Sequence, residues 1–161
     1  MTDFTQGGEA NLGGQHLEAF VVREAATRGF LVSEWSSDSG NRDLLNPRRL
    51  IRNAPYVSIY GHDARSEFLL VDEVAGREVR IECRWQQVQG SVDEKMPYLY
   101  HSAVDAMPER EIVFLIGGGG ARPSSVKWLR DNCSKHIRKT ILVVNEAEFR
   151  AWMRDFARLA A

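Results

Sequence analysis

The stretch EVRIECRWQ (residues 78–86) alternates apolar and polar side chains along its whole length. Successive side chains of a β-strand point to opposite faces, so this pattern predicts a half-buried strand. One face would carry Val79, Ile81, Cys83 and Trp85. The other would carry Arg80, Glu82, Arg84 and Gln86. A strand that groups acid, base and amide side chains on its second face is a candidate for chemistry as well as for structure.

The segments around this strand predict the rest of a sheet. Turn-forming residues separate three strands of an antiparallel meander, Tyr56–Tyr60, Glu67–Asp72 and Glu78–Gln86. Downstream, Glu111–Ile116 and Thr140–Val144 are short and wholly apolar, which is typical of parallel strands covered on both faces. Helices are predicted at 93–107, 124–133 and 146–159, the second of them capped by Ser124.

The N-terminal third is less regular. Residues 1–14 are polar and rich in glycine, and we expect a flexible lead there. A helix is predicted over 15–28 and a short strand over 30–35, whereas 36–55 predicts a loop with at most one helical turn at 47–52. The expected architecture is an α/β sandwich in one domain over 15–161. Its mixed central sheet would combine the antiparallel meander with parallel strands and be flanked by helices.

Composition narrows the classes of function. The chain has 161 residues, of which 43% are hydrophobic and 27% charged, as is ordinary for a globular domain. No run approaches the about 18 apolar residues of a membrane span, and the first residues lack the pattern of a secretory signal. We therefore expect a cytoplasmic protein with no membrane partner. The two cysteines, Cys83 and Cys133, lack metal-binding spacing and are expected in the core.

Charge gives a mixed indication. A net charge of −1 does not by itself indicate nucleic-acid binding. Two groups of basic residues are nevertheless present: Arg42, Arg48, Arg49 and Arg52, and later Arg122, Lys127, Arg130, Lys135, His136, Arg138 and Lys139. Each is either a local basic surface or an ordinary solvated face. The glycines at 117–120 lack the following Gly-Lys-Ser/Thr of a nucleotide-binding loop, so we predict a tight turn and no nucleotide cofactor.

A second acid lies on the neighbouring predicted strand. If the hairpin turns at residues 75–76, Glu67 lies opposite Arg84 and diagonal to Glu82, on the same face of the sheet. Asp72 would then pair with Val79 and point to the other face. A register shift of one residue would reverse this choice. With the predicted register, the carboxylates of Glu67 and Glu82 converge.

Two converging carboxylates are costly unless a cation neutralises them. Mg²⁺ prefers carboxylate oxygens, keeps some of its waters and can bind a phosphate. It can then acidify a water and stabilise the charge of a phosphate under attack, which is the chemistry of phosphodiester hydrolysis. Glu67 and Glu82 are therefore the predicted metal ligands for Mg²⁺, with Mn²⁺ as a substitute. The alternative is a surface ion pair of both acids with Arg84, which would contribute about 0–1 kcal/mol.

These residues bear a resemblance to a known family. An acid followed, about 15 residues later, by Glu-x-Lys/Arg within a β-hairpin resembles the motif of the PD-(D/E)XK nuclease superfamily. The run IECRWQQVQGSVDEKMPYLY (81–100) is similar to a restriction- and phage-associated subset with Glu-Cys-Lys-Trp-Gln and then Gly-Ser-x-x-Glu-Lys-x-Pro-Tyr. GQHLEAFVVREAATRGF (14–30) resembles the opening helix of that superfamily. The resemblance extends from about residue 14 to residue 144.

The resemblance implies a restriction-endonuclease-like fold and a metal-dependent endonuclease that acts on DNA. It implies that Glu18 completes the metal site with Glu67 and Glu82, and Glu24 on a neighbouring helix face is the alternative. A homodimer whose two sites cut both strands is a further implication. A toxin or effector nuclease is a weaker hypothesis.

Two residues depart from the family motif. Glu67 stands in place of Asp, without a preceding Pro, and Arg84 stands where the catalytic Lys is expected. Arginine is always protonated and is a broad planar donor, so this exchange is not conservative. Arg84 could still stabilise phosphate charge, or Lys95 on the next helix could supply the ammonium group. A third alternative is a silenced module that binds nucleic acid or a protein. Gln86, on the same face, is expected to position substrate or water.

Overall fold

The computed structural model describes residues 5–38, 46–87 and 93–159. Its helices are α1 (Thr5–Ala26), α2 (Trp35–Asp38), α3 (Met96–His101), α4 (Pro123–Ser134) and α5 (Glu146–Arg158). Its strands are β1 (Leu31–Glu34), β2 (Arg48–Val57), β3 (Asp63–Asp72), β4 (Arg77–Trp85), β5 (Glu111–Gly117) and β6 (Thr140–Val144). A 3₁₀ turn (Asp93–Lys95) leads into α3, and a π-helical segment (Ser102–Ala106) follows it.

The strands form one mixed sheet in the order β1-β2-β3-β4-β5-β6. β2, β3 and β4 are antiparallel neighbours, whereas β1 pairs with β2, β4 with β5 and β5 with β6 in parallel. The predicted combination of an antiparallel meander with parallel strands is therefore confirmed. Because β4 belongs to both parts, it is the strand that joins the meander to the parallel half of the sheet.

Helices cover both faces of the sheet. On one face, α1 and α5 pack over the predicted apolar side of β4, with Phe20 and Phe149 fully enclosed. On the other face, α3 and α4 pack over β5 and β6 around Phe114 and Leu129. Both cysteines are buried and unpaired, as expected. Glu82 and Arg80 point away from the first of these two layers, because they alternate with the residues that α1 covers.

Strand β2 was not predicted. The sequence indicated a loop over 36–55 and a strand at 56–60, but β2 occupies residues 48–57. The arginines that suggested a loop are tolerated in a strand because acids neutralise them. Arg48 pairs with Asp72 at 3.2 Å, and Arg49 pairs with Glu73 at 3.0 Å. Leu50, Ile51 and Ala54 of the same strand are buried.

The same ion pairs change the interpretation of the basic groups. Arg52 contacts Glu18 at 3.2 Å and Glu34 at 3.3 Å, so the described arginines of the first group are all neutralised. Arg42 lies outside the described residues. In the second group, ion pairs join Arg122 to Asp93, Lys127 to Asp131, and Arg130 to Glu148. The described part of the first group is therefore not an open basic surface, whereas Lys135 and Arg138 of the second group remain exposed to solvent.

Helix α1 begins at Thr5, ten residues before the predicted start at Gln15. The glycines that suggested an irregular lead have a packing role instead. A Cβ atom at Gly13 would lie 2.0 Å from the indole ring of Trp85, so the helix can approach this ring because residue 13 has no side chain. The irregular conformation expected for residues 5–14 is therefore corrected to helix, and residues 1–4 lie outside the described part.

Smaller corrections concern α4 and the loop before it. Pro123 occupies the first turn of α4 and Arg122 is the capping residue, where Ser124 was predicted. Proline suits this position because the N–H groups in the first turn of a helix have no partner within the helix, so the N–H that proline lacks is not needed. Trp128 of α4 is 43% exposed and meets Tyr100 edge-on. Gly118 has a φ of 90°, in agreement with the predicted turn.

Candidate active site

The strands β3 and β4 part where the two predicted acids lie. Their pairing runs from Asp72 opposite Arg77 to Phe68 opposite Ile81, which puts Glu67 next in line, opposite Glu82. The predicted register, with Glu67 opposite Arg84 and Asp72 opposite Val79, is therefore wrong by two residues. The turn comprises residues 73–76, longer than expected. Because the shift is even, each side chain keeps its predicted face.

An irregularity on β2 lies on the other side of Glu67. The β2–β3 register passes from Arg52 opposite Phe68 to Ala54 opposite Ser66, without pairing Asn53 to Glu67. Asn53 has a φ of 56°, in the left-handed region that asparagine tolerates better than most residues. This local break frees the backbone around Glu67 from a regular ladder. The side chain can then reach β4.

The side chain of Glu67 contacts β4. Its Oε2 accepts a hydrogen bond from the backbone N–H of Cys83 at 2.9 Å. Its Oε1 lies 3.6 Å from Nη1 of Arg84, and Nη2 of Arg84 lies 3.0 Å from Oε2 of Glu82. The structure thus brings Glu67, Glu82 and Arg84 together, with the guanidinium group between the two carboxyls.

Glu82 is the buried member of this cluster, 1% exposed. The 3.0 Å contact with Arg84 lacks the angle of a hydrogen bond, so Oε2 has no hydrogen-bond partner among the described residues. Burial above all, together with the charge of Glu67 and a hydrogen bond with its carboxyl, raises the pKa of Glu82 to about 8, against the opposing charge of Arg84. At neutral pH, this carboxyl holds a proton that a divalent cation would displace.

Arg84 keeps its charge in this environment. Burial acts to lower the pKa of its guanidinium group, but the carboxyls of Glu82 and Glu67 outweigh that effect and raise it. The side chain is about one-third exposed, so it can reach solvent and a ligand from the same place. Arg84 is therefore a permanent cation in contact with both acids.

Glu18 lies on α1, close enough to Glu67 to feel its charge. Arg52 holds its carboxylate at 3.2 Å. Partial burial and the negative charge of Glu67 raise the pKa of Glu18, while Arg52 opposes them. Glu24 is directed elsewhere: burial acts to raise its pKa, but hydrogen bonds from Arg150 and Arg28 outweigh this and lower it. Of the two helix acids, Glu18 is the one near the cluster.

The remaining predicted residues lie nearby in sequence. Lys95 is exposed at the end of the 3₁₀ turn and forms no ion pair among the described residues. Gln86 follows the last residue of β4. Its backbone N–H donates to Gly117 O at 3.0 Å, and its carbonyl accepts from Gly120 N–H at 2.7 Å. The glycine loop therefore fixes the course of the chain at Gln86, directly after the end of β4.

Sequence patterns did not reveal the buried ion pair below the cluster. Arg80 was expected on a polar face, yet it is 2% exposed and binds Glu109 through two contacts of 2.5 and 2.7 Å. It also donates to Ala54 O at 2.9 Å and to Ser66 Oγ at 2.8 Å. Arg80 thereby ties β4 to the β2 and β3 residues that flank the irregularity. The available signal for this buried ion pair was an arginine in a strand that is otherwise rich in apolar residues.

The donor set fits a divalent cation. Two carboxyl groups converge, and one of them has a buried oxygen without a hydrogen-bond donor, which a hard metal ion prefers as a ligand. In the described part of the chain, no three His, Cys, Asp or Glu side chains form a ready-made cage, so Glu67 and Glu82 would need other ligands, such as water. Mg²⁺ commonly binds with few carboxylates and several waters.

Comparison with protein families decides the assignment. A family model described as a PD-(D/E)XK nuclease superfamily domain matches residues 9–157. The chain belongs to the PD-(D/E)XK nuclease superfamily. The mixed sheet flanked by helices agrees with the restriction-endonuclease-like fold of this superfamily. Its members act on nucleic acids and generally use divalent metals, so a nuclease-type enzyme is supported in general. No curated protein matches the chain.

Among the described residues, none of the helices combines the length and the apolar character that a bilayer-spanning segment needs.

Proposed function

We propose that this superfamily member is a divalent-metal-dependent endonuclease that hydrolyses phosphodiester bonds of DNA, in the cytoplasm. The convergence of Glu67 and Glu82 at the point where β3 and β4 part carries this proposal. The buried Glu82 oxygen without a hydrogen-bond donor adds to it, because a metal ion would supply the missing partner.

Mg²⁺ is the proposed ion, with Mn²⁺ as a substitute, and it would supply an activated water and positive charge at the phosphate. Glu67 and Glu82 would hold it. Glu82 must first lose its proton, since burial raises its pKa to about 8. Glu18 would orient this set from α1, where its contact with Arg52 keeps it beside Glu67.

Arg84 has the proposed role of a phosphate ligand. Its guanidinium group already lies within reach of both acids and is partly exposed, so a small movement would bring it to a bound phosphate. Such a ligand would stabilise negative charge but could not donate or accept a proton in the reaction. Lys95 is the alternative cation, and Gln86 would orient the substrate or the attacking water. Cutting both strands would require two sites, which a homodimer would provide.

One observation favours a second function. The guanidinium group of Arg84 lies between the two carboxyls, at 3.0 and 3.6 Å, and supplies the positive charge that a metal would otherwise bring. If it stays there, the domain is a silenced nuclease that binds nucleic acid or a protein partner. Arginine suits this position because its planar guanidinium group has two terminal nitrogens, one for each acid. Lysine has a single ammonium nitrogen.

Cleavage of supercoiled plasmid with Mg²⁺, Mn²⁺ or EDTA tests the proposal. Wild type should nick DNA in a metal-dependent way, and Glu82→Ala should reduce nicking to background. Glu78→Ala is the matched control, because Glu78 is an exposed acid on the same face of β4. Equal activity of wild type and Glu82→Ala would contradict the proposal. An inactive wild type with an active Arg84→Lys variant would favour the silenced module.

A further inference from the structure

Three tyrosines lie beside the acidic cluster, and nothing in the proposed chemistry uses them. Tyr56 lies near the end of β2, Tyr60 lies at the tip of the β2–β3 hairpin, and Tyr98 lies on α3. The rings of Tyr60 and Tyr98 stack nearly parallel, with centroids 5.9 Å apart and an interplanar angle of 18°. We call these three residues the tyrosine surface.

Tyr56 connects this surface to the acids. Its ring packs under the guanidinium group of Arg80 at 5.2 Å, and Arg80 precedes Glu82 by two positions on the same face of β4. Burial, with the nearby groups Glu82 and Tyr98, raises the pKa of Tyr56 to about 12. The tyrosine surface therefore extends from Glu82 to the hairpin tip.

The outer end of the surface is open to solvent. Tyr60 is 68% exposed, and its neighbours Val57 and Ile59 are also exposed. A hydrophobic tip of this kind does not stabilise the fold through burial. Stacking on Tyr98 nevertheless fixes the orientation of the Tyr60 ring. A ligand that stacks on this ring would therefore cost little side-chain entropy.

The charge of this chain gives weight to an aromatic contact with a nucleic acid. The net charge is −1, and the described arginines of β2 are neutralised by acids. Phosphate contacts alone would therefore bind a nucleic acid weakly. Stacking of a base on an aromatic ring provides affinity that does not depend on net charge.

We propose that the tyrosine surface binds the bases of unpaired nucleotides, so that the substrate is a single strand or a locally unpaired region. In a duplex, neighbouring bases cover each base face, and an aromatic ring cannot stack on it without disrupting the pair. A strand whose base stacks on Tyr60 would run along Tyr98 and Tyr56 towards Glu82. This inference rests on the proposed function for the place where the strand is cut.

Binding in the presence of EDTA tests the inference separately from cleavage. Fluorescence anisotropy would compare a labelled oligothymidylate, an oligouridylate and a hairpin duplex of equal length. We expect wild type to bind a single strand more tightly than the duplex, and Tyr60→Leu to weaken that binding by about 5- to 150-fold, the range of one base–aromatic contact. Tyr60→Phe should bind like wild type because it keeps the ring. Val74→Ala, at the exposed tip of the opposite hairpin, should also bind like wild type.

The outcomes separate the two proposals. Single-strand binding that depends on Tyr60 supports the inference even if no plasmid is cut, and the relative affinity of the two oligonucleotides distinguishes DNA from RNA. Equal binding by wild type and Tyr60→Leu overturns the inference, even if wild type cuts DNA. Tighter binding of the duplex, or no binding of any of the three probes, overturns it as well.

Discussion

Two arginine–glutamate pairs lie four residues apart on the same face of β4 and differ in how completely they are satisfied. Arg80 binds Glu109 through two hydrogen bonds of 2.5 and 2.7 Å. It also donates to Ala54 O, Pro55 O and Ser66 Oγ. Arg84 meets Glu82 through one contact of 3.0 Å that lacks hydrogen-bond geometry. The first pair is 2% and 6% exposed, whereas Arg84 is 36% exposed.

This difference indicates a structural role for the first pair and a capacity to bind ligands for the second. A saturated buried pair has no capacity left for a ligand, so the role of Arg80 and Glu109 is to join three strands. An unsaturated pair, with a second acid 3.6 Å away and an opening to solvent, retains the capacity to bind an ion or a phosphate. Incomplete satisfaction of a buried polar group is costly, and a bound cation at Glu82 would remove that cost.

The largest expected effect is on stability. Arg80→Ala should lower the free energy of unfolding at pH 7 by about 3–5 kcal/mol, because it leaves Glu109 buried without its partner. Arg84→Ala should change it by about 0–1 kcal/mol, since Arg84 is partly exposed and the raised pKa of Glu82 keeps that acid mostly neutral at this pH. Urea unfolding of both variants measures the difference. Equal losses would show that the two pairs are not distinct.

The two glutamates provide the converse test. Glu109→Gln should lower the free energy of unfolding at pH 7 by about 2–3 kcal/mol, because it leaves the Arg80 guanidinium group without its carboxylate. Glu82→Gln should cost much less at pH 5 and should stabilise the fold at pH 8, since it removes a carboxyl that is buried without a hydrogen-bond donor. Urea unfolding at the two pH values measures both variants, and a larger loss in Glu82→Gln than in Glu109→Gln would reverse the assignment.

The direction of the pH effect follows from the pKa of Glu82. The unfolded chain loses this proton near pH 4.5, whereas the folded chain holds it until about pH 8. Folding therefore becomes less favourable as pH rises through this interval, by at most about 1.4 kcal/mol per pH unit. Unfolding measured from pH 5 to pH 8 should show a weaker decline in Glu82→Gln than in wild type. Parallel curves would contradict the raised pKa.

A smaller effect is expected opposite Glu67. Asn53 holds a left-handed backbone conformation that a β-branched residue resists, so Asn53→Val should destabilise the fold by about 1–2 kcal/mol. It should also reduce cleavage by favouring a regular strand at Glu67. Asn53→Gly is the matched control, because glycine adopts this conformation freely and should keep both properties. Thermal unfolding and plasmid cleavage would measure them, and equal behaviour of the two variants would argue against a role for the irregularity.

Local alternation was sufficient to predict the strand β4 and the faces on which its side chains lie. It also brought Glu67 and Glu82 onto the same face, although the register was wrong by two residues. An even error leaves faces unchanged, so the shared face of the two acids was predicted more reliably than the register of the hairpin. The parallel strands β5 and β6 were equally clear, because short and wholly apolar runs are typical of strands that helices cover on both faces.

What the sequence did not reveal depends on partners far away in the chain. Strand β2 resembled a loop because its arginines are neutralised by acids at positions 18, 34, 72 and 73. The start of α1 was missed because Gly13 makes room for the ring of Trp85, which lies on another element. The burial of Arg80 depends on Glu109 in the same way. Local patterns carry no information about such contacts.

The central claim is that Glu82 and Glu67 together bind a divalent cation, and calorimetric titration with Mg²⁺ and Mn²⁺ tests it most directly. At pH 7, in two buffers with different heats of ionisation, wild type should bind the metal and release close to one proton, because Glu82 must ionise. Glu78→Gln should behave in the same way, and Glu82→Gln should neither bind the metal nor release the proton. Metal binding that is unchanged in Glu82→Gln, or no binding by wild type, would contradict the account.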